Sequence, residues 1–175
     1  VEESVLWLLE GNKWARQNLE NEAKARGINS DRIIFTKKVP FDMYLSQFRQ
    51  ADLYLDTFNY NAGSTASNAL WAGLPLITMP GKSYSARMAS SLLHALEMPE
   101  LIANSEKEYG ELALGLAKNR KKLNAVRKKL SRNIKTAPLF QTERFTRNFE
   151  KGLRAAYSNY FEGKAPEVIF VQDNE

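Results

Sequence analysis

Residues 53–81 read LYLDTFNYNAGSTASNALWAGLPLITMPG, and this stretch decides the fold. Leu53-Tyr54-Leu55 is a short apolar run bounded by turn residues, which predicts a buried strand. A loop of small residues follows, Asn61-Ala62-Gly63-Ser64-Thr65, and then a helical stretch through Trp71. Leu76-Ile77-Thr78-Met79, closed by Pro80-Gly81, predicts a second strand. A strand that feeds a Gly/Ser/Thr loop at a helix start aims free backbone N–H groups and hydroxyls at one point. The helix dipole makes that point attractive to an anion. Gly63 allows close backbone approach, and Ser64 or Thr65 is expected either to cap the helix or to donate to a phosphate oxygen. Such a turn is also compatible with an ordinary strand-to-helix connection carrying a Ser/Thr cap.

Outward from this stretch, strand and helix alternate. Val5–Leu9 reads as a strand, 13–26 as a helix stopped by Gly27, Arg32–Phe35 as a strand and 42–50 as a helix. After the central unit a helix is expected over 85–97. Single helices between strands favour a parallel sheet with helices on both faces. Apolar strands without polar alternation predict burial on both sides, with ligands beyond the carboxyl ends of the strands, where loop 57–63 should lie. From Ser105 the pattern is purely helical: one long helix to about Asn133, a break at Pro138, and a second helix over 142–161. The tail 163–175 carries an apolar patch, Val168 to Val171. The expected class is therefore α/β, a Rossmann-like parallel sheet over 1–162 ending in an all-helical segment, plus a tail.

At 175 residues the chain can bury one sizeable core. No uninterrupted apolar run is long enough to span a bilayer, so no membrane segment is expected. It has no cysteine and a single His, His94, which removes thiolate metal sites and makes a His-based zinc site unfavourable. Lack of cysteine also fits a reducing cytoplasm, where we expect the protein to work. The first residue is Val1, just before a predicted strand, as in a piece of a longer protein.

The net charge of +5 is not a uniform field. Residues 118–135 hold nine Lys/Arg and no acid, so the rest of the chain carries a net −4. Leu116, just before it, and Leu123, Val126, Leu130 and Ile134 within it recur at helical spacing, so one face packs and the rest is a solvated basic surface. The sharper alternative, binding to nucleic acid or an acidic membrane, lacks interleaved aromatics, and no nucleic-acid partner is expected. Gly81-Lys82-Ser83 resembles the end of a phosphate-binding P-loop, but residue 76, where the first Gly would fall, is Leu. Trp71 and His94 are expected to pack rather than to bind.

The string from Asp56 to Gly81 resembles the C-terminal catalytic lobe of the O-GlcNAc transferase/SPINDLY-like glycosyltransferases, which are of the GT-B architecture. Segments at 4–9, 32–35, 51–53, 85–87, 100–103 and 138–140 resemble the same lobe in the same order. The resemblance implies an inverting, metal-independent enzyme that needs no cofactor. It implies transfer of GlcNAc from UDP-GlcNAc to a protein Ser or Thr, with transfer of fucose from GDP-fucose as the alternative. It also implies an N-terminal lobe and tetratricopeptide repeats upstream. The acceptor-side groups and a phosphate-binding Lys are expected there too, so the catalytic residues are not assigned and this piece alone is expected to be inactive.

Carried over position by position, the phosphate cradle matches Gly63, Ser64 and Thr65. Many relatives have His at Gly63 and Asp at Asn68, where the nucleoside is contacted; Asn68 can still hydrogen-bond a ribose hydroxyl. Val39 matches a backbone position that reads the base edge, and Tyr44 stands where relatives often have a base-stacking His. Gln47 matches another base-proximal site. Phe41 falls where some relatives carry a Lys, a contact Lys37 or Lys38 could replace. These departures motivate the other reading, a degenerate lobe that binds a protein partner through its basic helix. The aromatic residues of 142–161 and the apolar tail are expected to face the upstream lobe.

Overall fold

The computed structural model describes residues 1–173. Two parallel strand pairs organise it. β1 (Leu6–Leu9) pairs with β2 (Ile33–Thr36) from Leu6↔Ile33 to Leu9↔Thr36, and α1 (Lys13–Ala25) makes the crossover. Asn12 caps α1 by accepting from the Ala15 N–H at 2.8 Å. At its other end Gly27, at φ +72°, lets its own N–H reach Lys24 O and the Ile28 N–H reach Ala23 O, the reciprocal pair that closes a helix.

After α2 (Phe41–Phe48) comes β3 (Tyr54–Leu55), which pairs in parallel with β4 (Leu76–Ile77); α3 (Ser64–Trp71) is their crossover. The ladder extends past the strand ends, since the Asp56 N–H donates to Ile77 O at 3.1 Å. A further parallel bridge joins Thr78 to Ile102, so segment 101–103 acts as one more strand, a role the sequence reading had not given it.

α4 (Met88–Ala95) enters through a 3-10 turn at Ser85–Arg87. It ends on Glu97, a non-glycine residue at φ 57°, with Met98 N–H closing back onto Leu93 O. The expected single helix over 105–133 is instead two, α5 (Glu106–Lys118) and α6 (Arg120–Thr136). Asn119 takes an extended conformation between them, and its Oδ1 accepts the Lys122 N–H at 3.1 Å. A short carboxamide that competes for backbone N–H groups favours a cap over a helix interior, and this divides the run. α7 (Thr142–Phe161) follows a 3-10 turn at Pro138–Phe140.

The core lies in the second half of this α/β unit. Leu70, Leu76, Ile77, Leu93, Leu96, Met98, Leu101 and Leu130 are fully buried, with Leu116 and Leu123 beside them. α6 thus turns inward the apolar stripe read from its sequence, with Leu123 and Leu130 buried and Val126 and Ile134 half-buried, while Leu116 lies on α5; Lys129 pairs with Glu100 and Arg127 with Asp52. The first fifty residues bury none of their side chains fully. β4 meets the expectation of burial on both faces; β1 and β2 do not, with Leu6, Leu9 and Ile34 exposed, because these strands pair only with each other and α1 buries none of its residues.

α7 leaves Phe145, Phe149, Leu153, Tyr157, Tyr160 and Phe161 exposed along one stripe. The tail turns back along this helix: Glu167 meets Asn159, Val171 comes against Gly152, and Asp173 pairs with Arg144 at 2.6 Å. The last two residues of the predicted tail, 174 and 175, lie outside the described residues.

Candidate functional site

α3 begins at the carboxyl end of β3, and loop 57–63 lies between them. Its cap position is Gly63, not Ser64 or Thr65, and no side chain caps it. The expectation of a Ser/Thr cap is corrected: both residues sit inside the first turn, because the first intrahelical bond runs from Ser67 N–H to Gly63 O. The N–H groups of Ser64, Thr65 and Ala66 precede that bond and have no carbonyl within the helix. Ser64 is exposed, and Thr65 and Asn68 are half-buried on the same helix. Ala66, Ala69 and Leu70 bury the opposite face. A Cβ on Gly63 would meet only Met88 Cε, at 3.8 Å, so internal packing does not demand glycine here.

The loop is held by side chains that the sequence reading did not single out. Asp56 is 4% exposed. Its Oδ1 accepts the Ala62 N–H at 2.8 Å and its Oδ2 the Thr78 hydroxyl at 2.6 Å. Burial raises the Asp56 carboxyl above the usual carboxylate range, opposed by hydrogen bonds from the Ala62 N–H, the Thr78 hydroxyl and the Thr57 N–H. Asn61, 1% exposed, donates its amide to Thr57 O at 2.7 Å, and its backbone N–H donates to Ser85 O at 2.9 Å. Its Oδ1 is buried without a partner among the described residues. From α5 the Tyr109 hydroxyl donates to the Asp56 carbonyl at 2.9 Å, and its ring meets Phe58 edge-on at 5.0 Å. Burial raises the Tyr109 hydroxyl well above its ordinary value, with the nearby Asp56 charge adding to the effect. An Asp directly after a strand and an Asn in a tight loop were the available signals, since both side chains readily bind nearby backbone.

The second predicted contact region lies on α2 and the segment before it. Val39 precedes α2 and is half-buried, and Lys37 is exposed. Tyr44 packs edge-on against Phe48 at 4.7 Å, and Phe48 reaches Tyr54 of β3 at 6.4 Å. Burial pushes the Tyr54 hydroxyl up to about 12. Gln47 lines a shallow depression of 320 Å³ with Asp42, Met43, Ser46 and Gln50, which neither Val39 nor Tyr44 borders. α2 packs on α3, which brings the Tyr44 and Gln47 helix beside that of Ser64, Thr65 and Asn68. A further depression of 420 Å³ is bordered by Tyr84, Arg87, Met88, Ser90, Ser91 and His94. His94 is thus exposed rather than packed, because the apolar face of α4 passes through Ala89 and Leu93. Trp71 does pack, edge-on to Phe140 at 5.1 Å, though half its surface stays open.

No group of three or more His, Cys, Asp or Glu among the described residues is placed to hold a metal ion. No described helix is long and apolar enough to cross a membrane.

A parallel α/β unit with an open helix N-terminus at its strand ends offers backbone N–H groups to an anion. Residues 1–149 match glycosyl transferase family 41, and the chain belongs to that family. It is 35% identical over its whole length to the Arabidopsis thaliana protein named "Probable UDP-N-acetylglucosamine--peptide N-acetylglucosaminyltransferase SEC", of which it covers 18%. It is 30% identical, over 93% of its length, to the Caenorhabditis elegans "UDP-N-acetylglucosamine--peptide N-acetylglucosaminyltransferase", covering 14% of that protein. Among solved structures it is similar to a mutant of the Thermobaculum terrenum O-GlcNAc transferase, with a TM-score of 0.80 and 27% identity. That match covers 86% of this chain and 30% of the other. The chain therefore spans under a fifth of the length of these two curated relatives.

Proposed function

We propose that this chain is the donor-binding lobe of a larger cytoplasmic glycosyltransferase that moves GlcNAc from UDP-GlcNAc to Ser or Thr of a protein, with inversion and without a metal. The observation that carries the reading is the uncapped start of α3, where Gly63, Ser64 and Thr65 present N–H groups and hydroxyls at the end of β3. A diphosphate set there would accept those hydrogen bonds, and the helix dipole would favour its charge. Leaving-group stabilisation of this kind lowers the barrier to transfer because the donors are already oriented when charge develops. Asn68 would hydrogen-bond the ribose. The α2 side, with Val39, Tyr44, Gln47 and Lys37, would face the base.

In this reading the exposed stripe of α7 meets the remainder of the enzyme, which supplies the acceptor-side groups. The chain by itself would then bind nucleotide weakly and turn nothing over. Titrating it with UDP and with GDP tests the donor. Preference for UDP supports GlcNAc transfer; preference for GDP moves the assignment to fucose transfer. Sugar transfer by residues 1–175 alone would contradict the division of labour.

A further inference from the structure

We propose that Asp56 is the positioning residue of the donor site: its carboxylate ties loop 57–63 to the end of β4 and so sets the angle at which α3 presents its N-terminus. The proposal rests on the donor-site reading above. It concerns a residue that touches the loop rather than the ligand.

A carboxylate below an anion site is electrostatically adverse to a phosphate, and burial makes it more so. Asp56 nevertheless lies there, 4% exposed, with both oxygens engaged. One oxygen takes the Ala62 N–H, immediately before the Gly63 cap; the other takes the hydroxyl of Thr78, next to β4. Three segments meet on one side chain: the end of β3, the last residues of the loop and the residue after β4. Asn61 fastens the loop from the other side through Thr57 and Ser85, and Tyr109 fixes the Asp56 carbonyl. The Ala62 N–H is therefore turned inward, which leaves the following N–H groups of the first turn as the ones facing out. A site preorganised in this way spends none of its binding energy on ordering the loop.

Asparagine is close to isosteric. Its Oδ1 can still accept the Ala62 N–H, and its amide can donate to Thr78 Oγ1. Alanine can do neither. A positioning role therefore separates Asp56→Asn from Asp56→Ala, whereas a role for the charge would not.

The experiment measures UDP affinity by calorimetry and amide exchange across 57–65 for wild type, Asp56→Asn, Asp56→Ala and Leu123→Ala. The last is a core truncation on α6 that lowers stability without touching the loop. Asp56→Ala should weaken UDP at least about tenfold and speed exchange at Ala62. Asp56→Asn should stay within about threefold of wild type, and so should Leu123→Ala despite its lower melting point. Wild-type affinity in Asp56→Ala, or an equal loss in Leu123→Ala, would overturn the proposal. Should Asp56→Ala not fold, Thr78→Val removes one of the two ties; it must weaken UDP by more than Leu123→Ala, and failure to do so overturns the proposal. If wild type binds neither UDP nor GDP, the donor-site reading falls. Exchange at Ala62 then still judges Asp56: unchanged protection in the alanine variant overturns its hold on the loop, and lost protection upholds it.

Discussion

Gly81 and Ala86 approach so closely that a methyl group on Gly81 would lie 2.8 Å from the Ala86 Cβ. The Gly81 N–H also donates to Ala86 O at 2.7 Å, so the two backbones cannot separate without losing that bond. Phe58 O lies 3.7 Å from the same point, which makes the contact part of the wall of loop 57–63. Gly81→Ala should therefore destabilise by about 1–3 kcal/mol through overpacking. Thermal unfolding of the variant checks this, and an unchanged midpoint would mean that the turn yields freely.

Glu97 closes α4 in the left-handed region, at φ 57°. Glycine reaches that region without a Cβ clash. Glu97→Gly should stabilise by up to about 1 kcal/mol, the relieved strain exceeding the entropy gained by the unfolded chain. Urea unfolding measures it, and a loss of stability would refute the strain.

Asn119 separates α5 from α6 and caps the second. Asn119→Ala should cost about 1 kcal/mol, the usual loss when a cap side chain is removed. Chemical denaturation provides the check; a gain would mean that one continuous helix is the better solution.

The raised Asp56 carboxyl has a signed consequence. Because its folded value lies above its unfolded one, the native state holds the proton more tightly. The stabilising contribution is full below the unfolded value and is lost as pH rises through the folded one. The stability of wild type relative to Asp56→Asn should therefore fall with rising pH just above the ordinary carboxylate range. Unfolding titrations of both proteins across that interval test this, and the opposite slope would mean that the three donors outweigh burial.

The alternation of apolar runs and helical stretches was enough to read the parallel frame, because periodicity and turn residues are local. The strand at Leu53 to Leu55, the Gly/Ser/Thr loop and the stripe Leu123, Val126, Leu130 were all legible this way. The break at Asn119 was not, since a polar residue within a basic run looks the same as a solvated helix position. The bridge from Thr78 to Ile102 depends on a partner more than twenty residues away, beyond the reach of local pattern. In the candidate site, Gly63 to Thr65 stood out by composition; Asp56 and Asn61 were signalled only by their places after a strand and in a tight loop, and the hold of Tyr109 on the Asp56 carbonyl, 53 residues away, became visible only through its distance. A buried Asp in an otherwise apolar context differs from a surface one by its neighbours, not by its place in the chain.

The central claim is that the start of α3 holds a nucleotide diphosphate. Calorimetric titration of UDP into wild type and into the double variant Ser64→Ala, Thr65→Ala tests it most directly. Loss of two hydrogen bonds to a charged oxygen should reduce affinity at least tenfold, on the order of 1.4 kcal/mol or more, with unfolding little changed. UDP bound equally well by the double variant would contradict the account.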